Sequence, residues 1–99
     1  MRIFLSDEAQ GDLDDAWDQL LRESGSRAAD DRLYDDFDRL FELIVAHPEM
    51  GRPRNELQVG VRSFAHQAYI IFYRVRQDEV DVLRVLHQRR DVDEAFASD

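Results

Sequence analysis

The sequence predicts an α+β fold of order βααβββ, a helical hairpin packed on one face of a small, mainly antiparallel sheet. Two stretches with apolar residues at helical spacing come first, and three strand-like runs separated by short turns follow. With 99 residues and 43% apolar content, the chain suits one domain spanning 1–99 and is too apolar for disorder.

The elements are justified in turn. Arg2 to Leu5 alternates as a short strand and ends at Ser6, which is placed to cap the next helix, with Asp7 and Glu8 favouring its N-terminal dipole. Ala9, Leu13, Ala16, Trp17, Leu20 and Leu21 make one helical stripe, so most of Trp17 is expected in the core, with Asp12, Asp14, Asp15 and Asp18 off the stripe. The "SGS" at 24–26 interrupts this pattern, and Ser26 is a second candidate cap. Ala29, Leu33, Phe37, Leu40, Phe41 and Ile44 form the second stripe, which stops at His47 because a residue before proline is pushed out of the helical region. So short a connection implies an antiparallel pair.

Glu49 to Gly60, "EMGRPRNELQVG", reads as a loop. Val61 to His66, Tyr69 to Arg76 and Glu79 to His87 read as strands, with "QDE" at 77–79 as a hairpin turn. Along the second run Tyr69, Ile71, Tyr73 and Val75 share one face, and Ile70, Phe72, Arg74 and Arg76 share the other. Periodicity leaves open which face meets the helices. An uncovered second face would be a working surface. The final "DVDEAFASD" suits one or two helical turns capped by Asp91.

Charge is divided unevenly. The formal net charge is −9, and residues 1–49 alone hold 5 Arg against 14 acids. Residues 50–90 hold 8 Arg against only Glu56, Asp78, Glu79 and Asp81, a local excess of positive charge that opposes the chain's average. All thirteen basic residues are Arg, whose planar fork suits bidentate recognition. No cysteine is present, and His66 has no second histidine at ligand spacing, so neither a metal site nor a cofactor is expected. The acidic start and the lack of a long apolar run point to a cytoplasmic protein with no membrane partner.

Four stretches, "LSDEAQGDLDDAWDQL", "FELIVAHPEMGRPRNEL", "GVRSFAHQAYIIFYRV" and "VDVLRVLHQRRD", cover nearly the whole chain. Together they resemble the ParE/RelE family of bacterial toxins of type II toxin–antitoxin systems, the ParE branch more closely. The resemblance implies a small sheet on a helical hairpin and a cognate antitoxin, ParD-like or other, that binds and neutralises the toxin. It also implies one of two targets: DNA gyrase for ParE-like members, or messenger RNA on the ribosome for RelE-like endoribonucleases. Nothing in spacing or charge identifies gyrase; that expectation comes from the resemblance alone.

Cleavage of RNA through its 2′-hydroxyl needs proton transfer and charge stabilisation at phosphorus. Arg62, Tyr73, Arg74, Arg84 and His87 are the residues of suitable type. Each also has a purely structural reading: paired strand arginines, a packed tyrosine, a histidine bonded to the final loop. RelE-like nucleases tend to carry a denser cationic surface with lysines and an acid–base residue near the C-terminus. This chain has no lysine and no tyrosine after Tyr73, which leans the expectation away from an enzyme. A protein target needs only a complementary surface, for which Arg52, Arg54, Arg62, Arg74, Arg84, His87, Arg89 and Arg90 are the candidates. Tyr34, Tyr69 and Tyr73 are candidates for the antitoxin, and the acidic hairpin calls for Arg or Lys on that partner.

Overall fold

A computed structural model describes residues 1–24, 27–90 and 92–97. Strand β1 (Arg2–Leu5) leads into helices α1 (Asp7–Ser24) and α2 (Arg27–Ala46). Four strands follow, β2 (Arg52–Pro53), β3 (Val61–His66), β4 (Tyr69–Arg76) and β5 (Glu79–His87), and then helix α3 (Val92–Ala97). The expected caps Ser26 and Asp91, and the side chain of Ala29, lie outside the described residues. Ser6 does cap α1, its Oγ accepting from Ala9 N at 3.0 Å while donating to Leu83 O at 2.8 Å. One hydroxyl thus starts the helix and ties it to the last strand.

The sheet order is β1-β5-β4-β3-β2, with β1 parallel to β5 and the other pairs antiparallel. The β3–β4 and β4–β5 turns carry Gln67 and Gln77 at φ 53°, a left-handed conformation forced by such tight reversals. The α1–α2 hairpin packs on one face, burying Leu13, Phe37, Phe41 and Ile44 against Ile71, Tyr73, Val80, Val82 and Val85. The face carrying Tyr69, Ile71 and Tyr73 is therefore the helix-facing one.

Three expectations need correction. The loop at 49–60 contains β2, a two-residue edge strand too short to show any period and holding a proline, which is tolerated at an edge. Much of the second sheet face is not open, because α3 and Leu57 cover Val61, Phe72 and Leu86. Phe96 meets Phe72 edge-to-face with centroids 5.1 Å apart. Trp17, expected in the core, is 41% exposed and rests against Tyr34 with ring centroids 4.6 Å apart.

A register shift lies between Phe72 and Tyr73: Phe72 faces Arg84 and Tyr73 faces Val82, leaving Leu83 as the extra residue. This bulge lets Val82 and Val85 both face the hairpin while Leu83 and Leu86 pack on the other side. It also turns Arg84 toward α1.

Candidate functional site

The segment after α2 is fixed from beneath by one tyrosine. Tyr73 is wholly buried; its hydroxyl donates to Pro48 O at 2.9 Å and accepts from Gly51 N at 2.8 Å. Burial raises its phenol pKa above 10.0, with the Gly51 hydrogen bond and the Arg62 charge opposing. Gly51 lies so close that a Cβ there would collide with the Tyr73 hydroxyl. Arg62, opposite Tyr73 in the ladder and so on the same face, donates to Glu49 O at 3.1 Å and Gly51 O at 2.8 Å. The chain direction into β2 is thereby set by two side chains from the sheet.

Arg54 performs the same task from the other face. Its backbone N bonds Val61 O at 2.7 Å, its Nε pairs with Glu56 at 3.0 Å, and its guanidinium lies 5.6 Å from the Phe72 ring centroid. The hydrogen bond from Arg54 holds the Glu56 carboxyl below its usual range. The Asn55 side chain then accepts from Gly60 N at 2.9 Å, and Gly60 turns with φ 85°. The Arg74 stem passes next to Gly60, and its guanidinium Nε is buried without a hydrogen-bond partner. Arg52 faces Ser63 in the ladder. Four of the eight candidate target residues, Arg52, Arg54, Arg62 and Arg74, are thus gathered about the β2–β3–β4 corner.

The rest lie elsewhere. Arg84 is turned inward: its Nε and Nη2 reach the two Asp12 carboxylate oxygens at 2.8 and 2.9 Å, and Nη1 donates to Ala95 O at 3.4 Å. Asp12 also accepts from Val85 N at 2.9 Å, capping the β5 edge beyond the reach of β1. Arg84 therefore joins α1, β5 and α3, a correction to its reading as a surface cation. Tyr73 requires the same correction, since a residue with no exposed surface cannot touch antitoxin or RNA. His87 is at the far end of β5, its Nδ1 accepting from Arg89 N at 3.1 Å and its ring 5.3 Å from Tyr69. Tyr69 and His87 line a cleft of ≈ 400 Å³ with Glu23 and Arg32, and Arg89 and Arg90 lie exposed just beyond. Burial, then the Glu23 charge, raises the Tyr69 phenol pKa. Tyr69 and His87 face each other in the ladder, and Arg74 is five residues further along β4. At ~3.4 Å per residue that separates His87 from the arginine corner by about 17 Å. The five residues proposed for RNA cleavage do not converge.

A second surface went unread in the sequence apart from Tyr34. Ile3 and Leu5 of β1 line a groove of ≈ 640 Å³ with Leu13, Tyr34, Phe41 and Val45, and Asp38 and Glu42 also line it. No periodic signal marks it, because it forms where the hairpin meets an edge strand and leaves it partly uncovered.

Known proteins resemble this arrangement along most of its length. The family profile described as "ParE toxin of type II toxin-antitoxin system, parDE" matches residues 3–92. Toxin ParE1 of Mycobacterium tuberculosis is 36% identical over 93 residues, covering 93% of this chain and 94% of its own. Toxin ParE1 of Caulobacter vibrioides is 38% identical over 84 residues, covering 85% of each. A solved structure titled "Chromosomal ParDE TA system from P. aeruginosa" superposes with a TM-score of 0.74 at 26% identity, covering 88% of this chain and 95% of that one.

Proposed function

Since this chain belongs to the ParE toxin family of type II toxin–antitoxin systems, we propose that it arrests growth by binding DNA gyrase and that a ParD-like antitoxin neutralises it. The observation that carries the gyrase part over RNA cleavage is the separation of proton-transfer groups from cations. Tyr73 and Arg84 are committed inside the fold, and His87 is a strand's length from Arg62 and Arg74. General acid–base catalysis needs those groups within hydrogen-bond reach of one phosphate. A binding toxin needs no such convergence. The groove along β1 supports the antitoxin part: it is apolar on its floor, and Asp38 and Glu42 beside it favour a tail with apolar side chains and Arg or Lys. Such a toxin acts in the cytoplasm, and among the described residues no helix is long and apolar enough to cross a membrane.

The test uses purified toxin, wild type and His87→Ala, in two assays: gyrase supercoiling, and messenger RNA cleavage on ribosomes. Inhibition of supercoiling by both proteins is expected. Ribosome-dependent cleavage that His87→Ala abolishes, with supercoiling untouched, would replace this reading by the endoribonuclease one.

A further inference from the structure

Val59 is 83% exposed, more than any other large apolar side chain among the described residues. It does not hang on a loose segment. Leu57 N and Gln58 N bond Arg54 O at 3.0 and 3.4 Å, Val61 N bonds Gln58 O at 3.2 Å, and Asn55 closes on Gly60. Leu57 packs down onto Val61 and Phe72 beneath. The backbone on both sides of Val59 is therefore held from inside while the side chain points to water, a preorganised apolar tip.

We propose that Val59, with Arg74 beside it, is the contact through which this toxin engages its target, and that it takes an acidic segment of a protein with an apolar seat for Val59. This rests on the reading of the chain as a protein-directed toxin. Two features favour an acidic polypeptide over nucleic acid. Arg62 and Arg54 are held by internal acceptors, Glu49 O and Gly51 O for one and Glu56 and Ser63 for the other. The tip is aliphatic, where single-stranded nucleic acid calls for an aromatic stacking face. The Arg74 stem lies against Gly60 beside the tip, so its guanidinium can supply the cation that an acidic segment meets. The occupant is the target and not the antitoxin, because the β1 groove calls for a basic tail and this corner for an acidic one. The two sites are also on opposite edges of the sheet, four strand spacings or about 19 Å apart.

The experiment compares Val59→Asp, Val59→Leu and Arg74→Glu with wild type, each checked for an unchanged melting temperature. Growth arrest on induced expression, binding to purified gyrase, binding to the cognate antitoxin and binding to single-stranded RNA are measured. Val59→Asp and Arg74→Glu should weaken gyrase binding about tenfold or more and relieve growth arrest, because a carboxylate then faces an apolar seat or acidic partner. Val59→Leu should stay near wild type, and all three should bind antitoxin as wild type does. Full growth arrest by Val59→Asp overturns the proposal. So does RNA binding that Arg74→Glu removes and Val59→Asp leaves intact, which would mark the corner as a nucleic-acid surface. If wild type binds no gyrase yet Val59→Asp loses growth arrest, the gyrase reading fails while the contact stands, with a different protein as its target.

Discussion

Two arginine–carboxylate pairs, one at the α1–β5 seam and one in the 49–60 loop, show how burial decides what a charge does here. Arg84 and Asp12 meet at 2.8 Å with side chains 16% and 7% exposed, and Arg54 and Glu56 meet at 3.0 Å with 20% and 59% exposed. Distance alone would rank them as equals. The seam pair spans 72 residues, is bidentate, and takes in Val85 N and Ala95 O, so it fixes three elements. The loop pair spans two residues, and solvent screens it. The two arginines are almost equally buried, so it is the exposure of the carboxylate that separates an architectural pair from a surface one. The chain's positive half contains both arginines.

Breaking the seam should have the largest effect. Asp12→Ala leaves Arg84 largely buried without its carboxylate and exposes the Val85 N–H, for a loss of about 3–5 kcal/mol in urea unfolding. The loop's own anchor comes next. Tyr73→Phe deprives Pro48 O and Gly51 N of their partner, which should cost about 1–3 kcal/mol. Amide exchange should speed up more at Gly51 than at Val85, separating the two regions in one spectrum. The same tyrosine sets an alkaline limit. The folded chain favours its protonated phenol, so above pH 10.0 it binds more protons than the unfolded chain, and stability falls as pH rises toward the raised pKa. A Tyr73→Phe protein should lose stability less steeply there, with Tyr69 supplying the remaining slope of the same sign. Glu56→Gln should be the smallest, with no measurable change in unfolding midpoint.

Regular elements were legible where a period was long enough to show. The runs Val61–His66, Tyr69–Arg76 and Glu79–His87 have the bounds read from alternation, and α1 begins after the serine expected to cap it. The target candidates were legible as arginines but not as a set. Alternation assigns a face to each strand residue, and the Leu83 bulge breaks that rule just before Arg84. No local pattern tells that Arg84 meets an aspartate 72 positions away. Tyr73 illustrates the same limit: its face was readable, while its hydroxyl's partners at Pro48 and Gly51 depend on how the loop folds back. Val59 carried no signal at all, since an apolar residue in a short loop reads as unremarkable until its exposure is known.

The parallel pairing of β1 with β5 has a consequence for the order in which the molecule comes into being. Arg2–Leu5 are translated long before their partners Glu79–Val82 in β5. At roughly 5–20 residues per second, β1 waits about 4–15 s on the ribosome before its neighbour exists. β5 is also the strand that joins β1 to β4, so no shorter chain can close the sheet or seat Arg84 on Asp12. A message broken ahead of the β5 codons yields a fragment without the seam, and a translating cell meets the folded toxin only once β5 has been made.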